Sequence, residues 1–124
     1  MITEDYVSFE TAKLLKEKGF DGECDLFGRT DESELIIRKA SKIAYNQGID
    51  DECVILPTLQ MTMKWLREVH HLFIGIEYVN ILGLGFVYQS TIGKFDDDYM
   101  YCLCKNSYEE ACETAIKYCL ENLI

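Results

Sequence analysis

The chain has 124 residues, 48% of them hydrophobic, with 22 acids against 12 bases and a formal charge of −10. That composition suits one globular domain with a sizeable core and argues against disorder. The negative balance opposes binding to nucleic-acid phosphates or anionic membranes and permits a basic partner, and the longest apolar runs are too short to span a bilayer.

The first ten residues, MITEDYVSFE, are acidic and lack an apolar h-region, so no signal peptide is read here and a cytoplasmic location is expected. The spacing then predicts an amphipathic helix over 8–18, capped by Ser8, with Phe9, Ala12 and Leu15 on its apolar side. Gly19 suits the left-handed position just past a helix end, and Phe20 suits the apolar contact that accompanies such a stop. Residues 24–27 read as a short strand.

Residues 29–52 admit two readings. Apolar positions 36, 40, 43 and 44 fit a helix capped by Ser33, whereas Leu35-Ile36-Ile37 fits a strand over 34–38, which is preferred, with 41–47 left open. Residues 48–52 form an acidic turn, and 53–56 suit a strand or an extended entry to the central helix.

The centre of the chain is PTLQMTMKWLREVHHLFIGIEYV, residues 57–79, with the only proline and the only tryptophan. Thr58 is positioned as an N-cap, and Pro57 lies outside the helix where its missing N–H costs nothing. Positions 59, 63, 66 and 69 form one helical face, widened by Met61 and Trp65, with Gln60, Lys64, Arg67 and Glu68 on the wet side. Trp65 is the expected anchor. The period then shifts to two: Leu72, Ile74, Ile76 and Tyr78 alternate with a second set that is also largely apolar. The strand over 72–79 is therefore expected to be central and covered on much of both faces.

A turn at 80–83 leads to a strand over 84–91, with Leu84, Phe86 and Tyr88 on one face and Val87 on the other; Gly83 and Gly85 make its start permissive. A polar loop over 93–98 and a strand over 99–104 complete an antiparallel meander. Ser107-Tyr108-Glu109-Glu110 is a capping box. It opens a helix with a broad apolar face of Tyr108, Ala111, Cys112, Ala115, Ile116, Cys119, Leu120 and Leu123.

The fold class that results is α+β, a single domain over 1–124. An antiparallel sheet of three or more strands has helices packed on one face. Residues 57–124 run α-β-β-β-α, after a less regular α/β part over 1–56. AKLLKEKGF echoes MKWLREVHH weakly enough that an internal repeat stays open.

The stretches YVSFETAKLLKEKGFDGECD, PTLQMTMKWLREVH and SYEEACETAIKYCLENLI resemble a family of short uncharacterised proteins from gut bacteria and their phages or mobile elements. The resemblance covers both ends and the centre and implies a bacterial or phage origin and a cytosolic setting; it brings no catalytic residue. The helix–three strands–helix order is also similar to that of double-stranded-RNA-binding domains. The phosphate-binding start of their last helix is Lys-rich, whereas here it is Ser107-Tyr108-Glu109-Glu110, which would repel phosphate.

No residue is assigned a catalytic, cofactor-binding or metal role. Cys102 and Cys104, with His70-His71, offer thiol and imidazole groups for zinc or a nucleophilic pair, but CxxC spacing and a second close cysteine pair are missing. All six cysteines are read as reduced and mostly buried. Asp96-Asp97-Asp98 lacks the glycine and alternation of a calcium loop and reads as a solvated hairpin tip. The expected role is that of a small non-catalytic interaction or regulatory protein. Its open sheet face, with Phe73 or with Tyr99 and Tyr101, would contact a protein partner or a second copy. The alternatives are an acidic nucleic-acid mimic that inhibits a DNA-binding protein, on the strength of charge, and a small Cys/His enzyme or zinc protein.

Overall fold

The computed structural model describes residues 4–21, 26–29, 38–39 and 53–124, with backbone alone for 26–29, 38–39 and 53–54. Its contacts divide into two compact units, Met1–Met61 and Thr62–Ile124. The readings of residues 30–37 and 40–52 fall outside the described residues.

In the first unit, α1 (Phe9–Glu17) begins at Ser8, whose Oγ accepts from Thr11 N–H at 3.2 Å. It ends in a Schellman motif. Gly19 takes a φ of 85°, its N–H donates to Lys16 C=O, and Phe20 N–H reaches back to Leu15 C=O at 2.9 Å. Phe20 is buried, the apolar contact expected of such a stop. Thr11, Ala12 and Leu15 form the buried stripe of α1.

Three antiparallel strands, β1 (Leu26–Arg29), β2 (Arg38–Lys39) and β3 (Cys53–Ile55), make a sheet in the order β2-β1-β3. α1 packs on β3. Residues 5–7 run beside 57–59: Val7 N–H donates to Pro57 C=O at 3.0 Å, and Leu59 N–H to Asp5 C=O at 2.9 Å. Val7, Ile55, Leu56 and Leu59 are buried there.

The helix α2 (Leu59–Val69) starts at Thr58, whose Oγ1 accepts from Met61 N–H at 3.1 Å. The sequence places its wet side correctly, but two apolar positions are exposed. Met61 lies on the far side of the helix from Leu59, and Val69 is at the last turn. Leu59, Met63, Trp65 and Leu66 of the expected face are buried, and Thr62 joins them.

The second unit carries β4 (Leu72–Ile81), β5 (Gly85–Lys94) and β6 (Met100–Lys105), all antiparallel in the order β4-β5-β6. α3 (Tyr108–Asn122) lies against all three strands. The α-β-β-β-α order of the C-terminal half and the α+β class are thus present. Ser107 Oγ caps α3 by accepting from Glu110 N–H at 3.1 Å. The buried face of α3 is Ala111, Cys112, Ala115, Ile116, Cys119 and Leu120, while Tyr108 is exposed and Leu123 caps the end.

The expected place of β4 in the sheet fails. β4 is not central: β5 is, and among the described residues β4 pairs with β5 alone. From Phe73 to Ile81 no β4 side chain is buried. An apolar composition on both faces can mark an edge strand as well as a central one. Alternation reports which way side chains point and says nothing of how many neighbouring strands the backbone has. The strands also run longer than the periodicity suggests, β4 to Ile81 and β5 to Lys94. The two sheets differ in strand order, β2-β1-β3 against β4-β5-β6, so the echo between the two helices does not extend to the strands beyond them.

Candidate interaction surface

The register of the meander sorts its side chains. Pairing of Ile74 with Ile92 and of Ile92 with Tyr101 puts even positions of β4 and β5 and odd positions of β6 on one face. α3 covers that face. Ser90 and Ile92 are fully buried on it. The Tyr101 ring stacks on Tyr118 of α3 at 4.0 Å, and the Tyr99 and Tyr118 hydroxyls lie 3.1 Å apart. That hydrogen bond first, then burial, pushes the Tyr99 hydroxyl up to about 12. Tyr99 and Tyr101 therefore belong to the helix-covered side, which removes them from the open face the sequence offers them for.

Beyond the start of α3 this same side continues as an aromatic ladder. Tyr78 stacks on Phe86 at 5.3 Å and approaches Tyr88 at 4.8 Å, and Tyr88 meets Tyr108 edge-on at 6.3 Å. Tyr78 is 62% and Phe86 64% exposed. The ladder ends in a turn where Leu84 N–H donates to Ile81 C=O and where Gly83 and Gly85 take φ of 90° and 77°, values that favour glycine.

The opposite face is the open one. It carries Phe73, Gly75, Glu77 and Val79 of β4, Val87, Gln89 and Thr91 of β5, and Met100, Cys102 and Cys104 of β6. Val87, opposite Val79, is its buried member. At one corner Phe95 continues the parity of β5 and gathers with His71 at 5.9 Å and Phe73 at 6.4 Å. Phe73 is 40%, Phe95 68% and Met100 69% exposed. The sequence reading names Phe73 for this face and misses Phe95 and Met100. The signal available for Phe95 is the alternation of β5 carried past Thr91.

The chemical candidates separate. Cys102 is exposed and Cys104 half-buried on the open face, so the reading of these two as core thiols is wrong; Cys102 Sγ lies 3.8 Å from Thr91 Oγ1. Cys112 and Cys119 are the core thiols, and burial pushes them up to about 11 and about 12. A thiol held in that range is inert as a nucleophile near neutrality.

His70 Nε2 is buried without a hydrogen-bond partner among the described residues, and the His70 ring meets Trp65 edge-on at 4.6 Å. His71 is exposed, with a φ of 56°, and its carbonyl accepts from Phe95 N–H at 3.0 Å. Among the described residues no three His, Cys, Asp or Glu side chains gather where they could hold a metal ion. The aspartate run is a turn: Asp96 takes a φ of 57°, and Asp97 Oδ1 accepts from Tyr99 N–H at 3.2 Å. Among the described residues no helix is long and apolar enough to cross a membrane.

No protein-family model matches the chain, and neither a curated protein nor a solved structure matches it.

Proposed function

We propose that this chain is a small non-catalytic interaction or regulatory protein of bacterial or phage origin, working in the cytoplasm. Its contact surface is the sheet face turned away from α3. The observation that supports this is the exposed pair Phe73 and Phe95 at one corner, with exposed Met100 set across Gly93 from Phe73 on the face opposite α3. Exposed apolar clusters of this kind are favoured at protein contacts, because removing them from water drives association. The origin rests on the sequence resemblance alone. The Asp97 carboxylate is engaged in turn geometry, which favours a solvating role for this run over phosphate mimicry.

The test is affinity capture from gut-bacterial lysates with the wild type, a Phe73→Ser/Phe95→Ser variant and a Glu109→Gln control, with titration calorimetry of each captured protein after purification. A partner held by the wild type and the control but weakened at least about tenfold by the double substitution supports the reading, a size expected for centrally placed aromatic contacts. Binding that ignores the double substitution refutes it.

A further inference from the structure

We infer that β4 is a self-pairing edge, and that two copies of the chain join their β4 strands antiparallel about a two-fold axis at Ile76. This goes beyond the open-face contact and does not depend on it.

The backbone carries the inference. His71 and Phe95 are register partners one step beyond Leu72 and Lys94, and Phe95 N–H donates to His71 C=O. In an antiparallel ladder the hydrogen-bonded pairs alternate. The odd residues of β4 therefore turn their N–H and C=O groups to β5. The even residues, from Leu72 to Asn80, turn theirs away from it. Among the described residues nothing pairs with that outer edge. It is ten residues long, contains no proline and has one charge, Glu77. Protected edges are short, charged, bulged or covered, and the β4–β5 register is continuous from end to end. β6, the other edge, is six residues long and ends in Lys105.

Self-complementarity selects the second copy as occupant, and charge selects the register. Only alignments that set even residues against even residues bring outward donors to outward acceptors. Near full overlap of the strands the choice is between a two-fold at Ile76 and a two-fold at Glu77, both of which set even residues against even residues. The two-fold at Glu77 puts two carboxylates face to face, which disfavours it. With the axis at Ile76, Glu77 lies opposite Gly75 of the second copy, which has no side chain to crowd it. Ile74 meets Tyr78, Ile76 meets Ile76, and Phe73 meets Val79, so half-exposed apolar side chains cover one another on both faces. The ladder would hold about ten inter-chain hydrogen bonds, the number a specific interface typically has.

Gly75 is the place to test this. A Cβ there meets nothing within 4 Å, and its φ is not left-handed, so side chains are accepted by the monomer. Gly75→Glu sets two like-charged pairs across the axis and is expected to weaken the dimer about tenfold; Gly75→Lys sets two opposite-charged pairs and is expected to tighten it by several-fold. Asn106→Glu and Asn106→Lys, on an exposed site past β6, change the net charge equally and should move the constant less than about twofold. Ile76→Pro, which removes one outward N–H without touching the bonds to β5, should also weaken the dimer.

The measurements are sedimentation equilibrium for the constant, circular dichroism to show that each variant is folded, and hydrogen exchange of the wild type. The Ile74, Ile76 and Tyr78 amides should be protected at high concentration and lose protection on dilution. A wild type that stays monomeric at high concentration overturns the inference. So does a dimer in which Gly75→Glu and Gly75→Lys act alike, or one whose even-numbered β4 amides stay unprotected. A dimer lost in the Phe73→Ser/Phe95→Ser variant but indifferent to Gly75 substitutions overturns this inference and leaves the open-face reading standing. Failure of partner capture alongside an intact β4 dimer does the reverse.

Discussion

Replacing Trp65 with alanine tests the packing argument at its largest single side chain. Trp65 is 8% exposed on α2, with the His70 ring against it at 4.6 Å. A buried tryptophan removes about 200 Å² of surface from water. At about 25 cal/mol per Å² that is about 5 kcal/mol, of which the alanine methyl retains about 1. The remaining loss of about 4 kcal/mol falls within the range of about 3–5 kcal/mol measured for such truncations. It is a large share of the roughly 5–15 kcal/mol that holds a domain of this size together. Urea titration monitored by far-ultraviolet circular dichroism is the assay, because the substitution removes the only tryptophan emission. With a slope of about 2 kcal/mol per molar urea the midpoint should fall by about 2 M. Trp65→Phe, which keeps a ring in the site, should lose less than half as much. A midpoint change under about 0.5 M for Trp65→Ala would refute the reasoning.

The same structure sets three further outcomes. Deleting residues 116–124 removes Ile116, Cys119 and Leu120, all fully buried, and should abolish the cooperative thermal transition seen by near-ultraviolet dichroism; a retained sharp melt would show that α3 is dispensable. Ser107→Ala orphans Glu110 N–H and should cost about 1 kcal/mol in a denaturant titration, whereas Ser107→Asp should be nearly neutral because aspartate also caps. Stability should fall in alkali. Burial raises Cys112 from 9.0 to about 11 and Cys119 from 9.0 to about 12, so between those values the folded chain holds protons that the unfolded chain has released. Their contribution is complete below about pH 9 and lost as pH rises through about 11–12. The Cys112→Ala/Cys119→Ala variant should show a shallower alkaline decline in midpoint than the wild type, and equal slopes would refute the assignment.

The sequence by itself determined the local elements of this protein. Ser8, Thr58 and Ser107 each cap the helix that the sequence assigns them, Gly19 and Phe20 stop α1 as their chemistry requires, and the change of period after Val69 marks the passage from helix to strand. These signals are legible because capping and periodicity act between residues a few positions apart, where chain order and spatial order coincide. What only the tertiary structure decided is which strand lies where. The alternation of β4 suggests a central strand, and among the described residues it is an edge; Tyr99 and Tyr101 suit an open face by sequence and lie on the side that α3 takes, against Tyr118; Cys102 and Cys104 suit a core by residue type and lie on the open face. Each depends on strand neighbours and on which face the helix takes. Those are settled by contacts between residues distant in sequence, and an alternating apolar pattern has the same form whichever face is covered and whether one edge of the strand is paired or both.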